Sequence, residues 1–260
     1  MAERLSGRVL VTGAAGGIGS AVGRRLVDRG VEVLAADLDP AGAPGTPLVL
    51  DVTDHATVDR VVADLGPLDG LVLAHGITAL GPAADVPMAA AARVVEVNLL
   101  GSMAVARAAL GGLAARRGRI AVLSSVAGFA PLVHRTAYAA SKHGVHGWFD
   151  SLRAEVVGTG ISVTIVAPSF VATGIESRAT HRSAGGAGAW STTGEVLSAD
   201  DVAAAVVDGL DRRRRLVLPS RTARAAGVGS RAVPTTYERL MRRRIGGRRP
   251  GGPSGAGGGS

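Results

Sequence analysis

Residues 136–147 read TAYAASKHGVHG, with Tyr138 and Lys142 four residues apart. On a helix that spacing puts a phenol and an ammonium on one face. A free phenol titrates near 10, too high for a base at neutral pH. A neighbouring cation favours the phenolate and lowers that value. Arginine would serve badly, because its fork is broad and its charge permanent. The composition sharpens the point: Lys142 is the only lysine among 29 basic side chains. Proton transfer at Tyr138, assisted by Lys142, is the chemistry this spacing allows.

A second cluster lies near the start. Residues 9–19, VLVTGAAGGIG, run from an apolar strand through Gly13, Gly17 and Gly19 toward a helix. In that context Gly13 permits a tight turn, Gly17 lets a pyrophosphate approach the backbone, and Gly19 lets helix and strand pack closely. The helix N-terminus offers its free N–H groups to the phosphates. Asp37 follows Gly19 by 18 residues at the end of the next strand. A carboxylate there accepts from a ribose 2′-hydroxyl and repels an added phosphate, so NAD is expected over NADP. Asp37 also lies in DLDP, a strand-ending turn sequence.

The elements that must position these groups alternate. Arg8–Thr12, Val31–Ala36, Leu48–Leu50, Gly70–Ala74, Arg119–Ser124, Ile161–Ala167 and Leu216–Leu218 read as strands, apolar on both faces as a buried parallel sheet requires. Helices are expected at Gly17–Arg29, Ala56–Leu65, Pro87–Arg116, Ala137–Val157 and Asp200–Arg212, with Asp54 and Ser198 as N-caps. The alternation predicts an α/β fold: one doubly wound parallel sheet of about seven strands, helices on both faces. The stretch from Ala167 to Asp200 has no firm periodicity, and a loop of that length is usually functional or disordered.

TGAAGGIG, Asp51-Val52, VNLLG at 97–101, Ser124-Ser125 and YAASK at 138–142 together resemble the short-chain dehydrogenase/reductase family over about residues 5–220. The resemblance implies a single Rossmann-type domain over 1–220, NAD(H) or NADP(H) as cofactor, and interconversion of a secondary alcohol and a ketone. It implies a catalytic set of Asn98, Ser125, Tyr138 and Lys142. In that set Ser125 holds the substrate oxygen, and Asn98, the only asparagine, anchors a water that links the lysine to bulk solvent. Cofactor contacts are implied at Gly13, Gly17, Ile18, Gly19, Asp37, Asp51, Val52 and Gly76. Further contacts are implied at Asn98, Tyr138, Lys142, Pro168, Val171 and Thr173. It also implies a homodimer or homotetramer through helices around 89–116 and 138–157. Two departures stand out: the family's Asn-Asn-Ala-Gly is Leu73-Ala74-His75-Gly76 here, and its Pro-Gly is Pro168-Ser169. His75 faces either the nicotinamide pocket or a structural partner.

Substrate choice is expected in residues 174–197, in 126–135 and in the C-terminal extension. Val126, Ala127, Phe129, Leu132, Val133 and Trp190 point to a lipophilic substrate, whereas His134, Arg135, Arg178 and His181 would read a polar or anionic group. The other readings are an NADPH-dependent 3-ketoacyl or polyketide-type ketoreductase, and a non-catalytic nucleotide-sensing regulator, for which a full catalytic set is superfluous. No metal site is expected, since the histidines lack ligand spacing.

Charge is uneven. Residues 212–260 hold 13 arginines against Glu238, a net of +12, while residues 1–211 hold 16 cations against 20 acids, a net of −4. The acidic body argues against a nucleic-acid partner. Tyr237, Leu240, Met241 and Ile245 form an apolar stripe with arginines elsewhere, a short amphipathic helix within a basic extension at 221–245. It would contact a membrane surface weakly, or pack over the cleft or against another subunit. Residues 246–260 read as a disordered glycine-rich tail. With no cysteine, no secretory signal and no run of 18 uncharged apolar residues, a cytoplasmic location is expected.

Overall fold

The computed structural model describes residues 3–176, 179–183, 196–232, 235 and 239. In chain order the elements are β1 (Arg8–Thr12), α1 (Gly17–Val27), β2 (Glu32–Asp37), β3 (Thr46–Val49), α2 (His55–Asp64), β4 (Gly70–Leu73), α3 (Met88–Val95), α4 (Gly101–Arg116), β5 (Arg119–Leu123), α5 (Thr136–Glu155), β6 (Ser162–Val166), β7 (Phe170–Val171), β8 (Val196–Leu197), α6 (Ala199–Asp211), β9 (Leu216–Val217) and α7 (Arg221–Ala232). Seven strands form one parallel sheet in the order β3-β2-β1-β4-β5-β6-β9. The order reverses between β1 and β4, which opens a crevice at their C-terminal ends, where such folds bind ligands.

Alternation along the buried strands supplies two cores. Val9 and Val11 point toward α1 and α6, joining Ala21, Leu26, Val202 and Val206. Leu10 points the other way, with Leu71, Ile120, Val105, Leu113 and Phe149 on the side of α2, α4 and α5. Phe149 is fully buried. The predicted caps hold: the Asp54 carboxylate accepts from Thr57 N at 3.1 Å, and Ser198 and Asp201 form a capping box.

Three features differ from the sequence expectation. The helix expected as one rod over 87–116 is interrupted by a π turn, Glu96–Leu100. The irregular stretch after Ala167 contains a small parallel pair, β7 with β8. α7 forms upstream of the apolar stripe at 237–245, which lies outside the described residues together with Arg178, Trp190 and the tail. Met88–Arg116 is the one helix among the described residues long and apolar enough to cross a membrane. Its Val94, Val105, Ala109 and Leu113 are buried inside the protein.

Candidate functional site

The cofactor side starts where β1 ends. Gly13 has φ +67°, and a Cβ there would fall 2.6 Å from the His75 backbone. A Cβ on Gly19 would lie 2.0 Å from the Gly13 carbonyl, and one on Gly17 would lie 3.2 Å from Thr173 Cβ. These positions therefore need glycine or nearly so, and Thr173 stands directly over the turn. Helix α1 has no side-chain N-cap and no acid in its first turn. Its N–H groups are open to an anion, unlike those of α2 and α6, so the turn fits a dinucleotide pyrophosphate. Ile18 packs its side chain into the core behind the turn.

Asp37 sits at the end of β2, as expected, and takes on a second task. Its Oδ2 accepts from Ala15 N at 2.9 Å and its Oδ1 from Leu38 N at 2.8 Å, so the carboxylate braces the glycine turn. Asp51 accepts from Thr53 N and Oγ1 at 2.9 and 2.7 Å. Burial acts upward on the Asp51 carboxyl, but the Thr53 bonds and the Arg93 charge outweigh it and hold it below its usual value. Val52 is buried against Gly101.

The reacting side is built from β5, α5 and the π turn. Ser125 is extended (φ −165°, ψ 165°) just beyond β5, and its Oγ accepts from Ala127 N at 3.1 Å. Tyr138 lies in the first turn of α5, and the Lys142 ammonium stands 5.7 Å from its ring centroid. Lys142 is 4% exposed and donates to the Leu123 carbonyl at 2.7 Å. The Tyr138 phenol titrates above its usual value, not below it. Burial dominates, while a hydrogen bond with Ser125 and the Arg135 charge act the other way. Burial also pulls Lys142 down from 10.5 to about 8, its amine donates to Leu123 O, and it is not among the groups that draw the phenol back down.

Asn98 is fully buried in the π turn. Its Oδ1 accepts from Ile77 N at 2.8 Å; its Nδ2 donates to Ile77 O and Ser141 Oγ, both at 3.0 Å. Ser141 in turn donates to the Tyr138 carbonyl at 2.8 Å. The widened turn aims Asn98 inward, and such bulges recur at functional sites. A Cβ on Gly76 would lie 3.3 Å from Asn98 Oδ1 and 3.8 Å from Lys142 Nζ, which places the Gly76 backbone beside the reacting groups.

The departures resolve into structure. His75 has partners for both ring nitrogens, Thr12 Oγ1 at 2.6 Å and Ser102 Oγ at 3.1 Å. Pro168 O accepts from Val126 N at 3.0 Å, joining the substrate-side turn to the loop after β6. Ser169 Oγ accepts from Ser220 Oγ at 2.8 Å. Val171 lies in β7, paired with Leu197.

Arg135, a sequence candidate for binding an anionic group, already has a partner. It is 7% exposed and ion-paired with Glu176, so its charge is already met. That pair links the start of α5 to the beginning of the segment after β7. Residues 179–183 are further clasped to 78–81: Thr180 N donates to Thr78 O, Leu80 N to His181 O and Ser183 N to Leu80 O. Neither contact left a mark in the local sequence.

The profile of the short chain dehydrogenase family matches residues 7–184. The dehydrogenase/reductase SDR family protein 7-like of Anopheles gambiae is 31% identical, over 94% of this chain and 84% of its own. The 3-oxoacyl-acyl-carrier-protein reductase FabG of Salmonella typhimurium is 33% identical, over 76% of this chain and 86% of its own. A short-chain dehydrogenase from Burkholderia cenocepacia, solved in complex with NADP, superposes with a TM-score of 0.77 at 21% identity, covering 93% of this chain and 98% of that one. Given the sheet, the glycine turn and these matches, the chain belongs to the short-chain dehydrogenase/reductase family and is an NAD(P)-using oxidoreductase of that type.

Proposed function

We propose that the protein interconverts a secondary alcohol and a ketone, with Tyr138 as general acid and base. The observation that carries this reading is the convergence of Ser125, Tyr138, Lys142 and Asn98 beside the glycine turn at the C-terminal ends of β4 and β5. The turn at Gly13–Gly19, with Asp37, Val52, Gly76 and Thr173, holds the dinucleotide. Once bound, the nicotinamide supplies the hydride acceptor or donor and, when oxidised, a positive charge. Tyr138 Oη takes the proton of the alcohol in oxidation and returns it to the carbonyl oxygen in reduction. Ser125 holds that oxygen by a hydrogen bond. Lys142 keeps a cation near the phenol, and Asn98 fixes the backbone at Ile77 and the hydroxyl of Ser141. In the free enzyme burial keeps the phenol protonated, which is the form that carbonyl reduction needs.

Asp37 supports NAD, since its carboxylate at the end of β2 is followed by Leu38 and Asp39 with no cation to take a 2′-phosphate. Half-buried Val126, Phe129 and Leu132 support a lipophilic substrate. The match to a 3-oxoacyl reductase supports a second reading, an acyl thioester reduced with NADPH. Turnover with a panel of secondary alcohols, ketones and 3-oxoacyl thioesters, with NADH and NADPH compared, separates the two. Tyr138→Phe is expected to lower turnover about a thousandfold while NAD still binds. Turnover close to wild type would remove Tyr138 from the mechanism.

A further inference from the structure

We infer that His75 is a positioning residue: its ring ties the glycine turn after β1 to the Asn98 turn, and through Asn98 to Tyr138 and Lys142. This rests on the function proposed above. The hydrogen bonds run in one direction. Ser102 Oγ spends its proton on the Asn98 carbonyl at 2.8 Å, so toward His75 it can only accept. Nε2 of His75 therefore carries the ring proton, and Nδ1 is left to accept from Thr12 Oγ1 at 2.6 Å. The other acceptor open to Thr12, the Val72 carbonyl, is 3.4 Å away. The chain reads Thr12 to His75 to Ser102 to the Asn98 carbonyl, every donor facing the π turn.

Its two ends fall on the two halves of the site. Thr12 precedes Gly13, and a Cβ on Gly13 would strike the His75 backbone, so ring and main chain of His75 both bear on the cofactor turn. At the far end the Asn98 carbonyl belongs to a widened turn, where helical bonding is irregular, and Ser102 satisfies it. The Asn98 side chain reaches Ser141, which bonds the Tyr138 carbonyl. Any buried histidine must satisfy both nitrogens; here one partner, Thr12, adjoins the cofactor turn and the other, Ser102, bonds the Asn98 carbonyl. The ring also bonds the backbone of Val97, itself in the π turn, and it stays uncharged: burial, then the Lys142 ammonium, pushes its pKa down to about 3 against that bond, so it adds no charge that would repel the lysine.

The test uses isosteric changes at the two ends, since His75→Ala alone also leaves a cavity. Thr12→Val removes the donor on the cofactor side, and Ser102→Ala removes the acceptor on the Asn98 side. NAD affinity is measured by calorimetry and kcat at saturating NAD. The effects are expected to cross. Thr12→Val lowers kcat, and Ser102→Ala weakens NAD binding, each by up to about tenfold, the worth of one buried hydrogen bond. In a His75→Ala background neither change adds to the loss. If Ser102→Ala binds NAD as wild type does and Thr12→Val keeps its kcat, the coupling does not exist. Failure of the proposed reaction would show instead as no wild-type turnover with any alcohol, ketone or thioester of the panel, and the NAD-binding arm would still report on His75.

Discussion

Lys142 carries a buried charge that the fold alone does not need. Its amine is 4% exposed, and burial lowers its pKa from 10.5 to about 8. Below about 8 both folded and unfolded chains hold the proton, and the folded state bears the whole penalty, about 3 kcal/mol. Above 10.5 neither holds it and the penalty is gone. Between these values the unfolded chain binds more protons, so this group's contribution to stability rises with pH. Lys142→Met removes the charge but also the bond to Leu123 O, which offsets part of the gain. The variant is therefore expected to be inactive and about 2 kcal/mol more stable at pH 7, with the gain fading as pH approaches 10.5. Urea unfolding at several pH values measures this. A variant less stable than wild type at pH 7 would mean that the fold itself relies on the ammonium.

The strands and helices were legible because their signals are local. β-Branched runs gave β1, β4 and β5 nearly to the residue, and Asp54 and Ser198 marked the starts of α2 and α6. The candidate residues Asn98, Tyr138 and Lys142 stood out because rare residue types stand at fixed spacing, and the fold brings them together. The direction of the Tyr138 shift was not legible, because it depends on depth of burial, which a spacing of four residues does not encode. The π turn was missed because Val95 to Gly101 keeps ordinary helical composition; only the inward pull on Asn98 distinguishes it. The Arg135–Glu176 pair was missed because its partners lie far apart in the chain, on elements with no shared periodicity. That pair is lopsided: Arg135 is 8% exposed at its side chain and Glu176 41%. Removing the acid strands a buried cation, whereas removing the cation leaves a carboxylate that water can reach. Glu176→Gln is therefore expected to cost about 3 kcal/mol, and Arg135→Gln about 1 kcal/mol or less. Both should raise the substrate KM, because the segment after β7, expected to choose the substrate, loses its anchor on α5. Equal costs in chemical denaturation would show that the pair is solvated on both sides.

Most helical glycines among the described residues have an internal reason for lacking a side chain. A Cβ on Gly101 would meet Val52, one on Gly112 would meet the Gly66 carbonyl, and one on Gly144 would meet Leu99. Gly111 on α4 and Gly147 on α5 have none: both are exposed, and a Cβ at either would find nothing within 4 Å. Each costs about 1 kcal/mol of helix propensity relative to alanine, with no return inside the chain. A return exists if a second copy lays its own helices across α4 and α5, since glycine lets backbones approach closely. The same assembly would account for the apolar character of Met88–Arg116, whose most apolar window is only 39% buried. We therefore expect a dimer or tetramer built on these two helices. The sign of the substitution decides it. On a free surface Gly111→Leu and Gly147→Leu raise helix propensity and leave the particle mass unchanged. In a close-packed interface they wedge the copies apart and give monomers with native circular dichroism. Sedimentation of the two variants beside wild type distinguishes these outcomes, and an assembly that survives both substitutions would place the contact elsewhere.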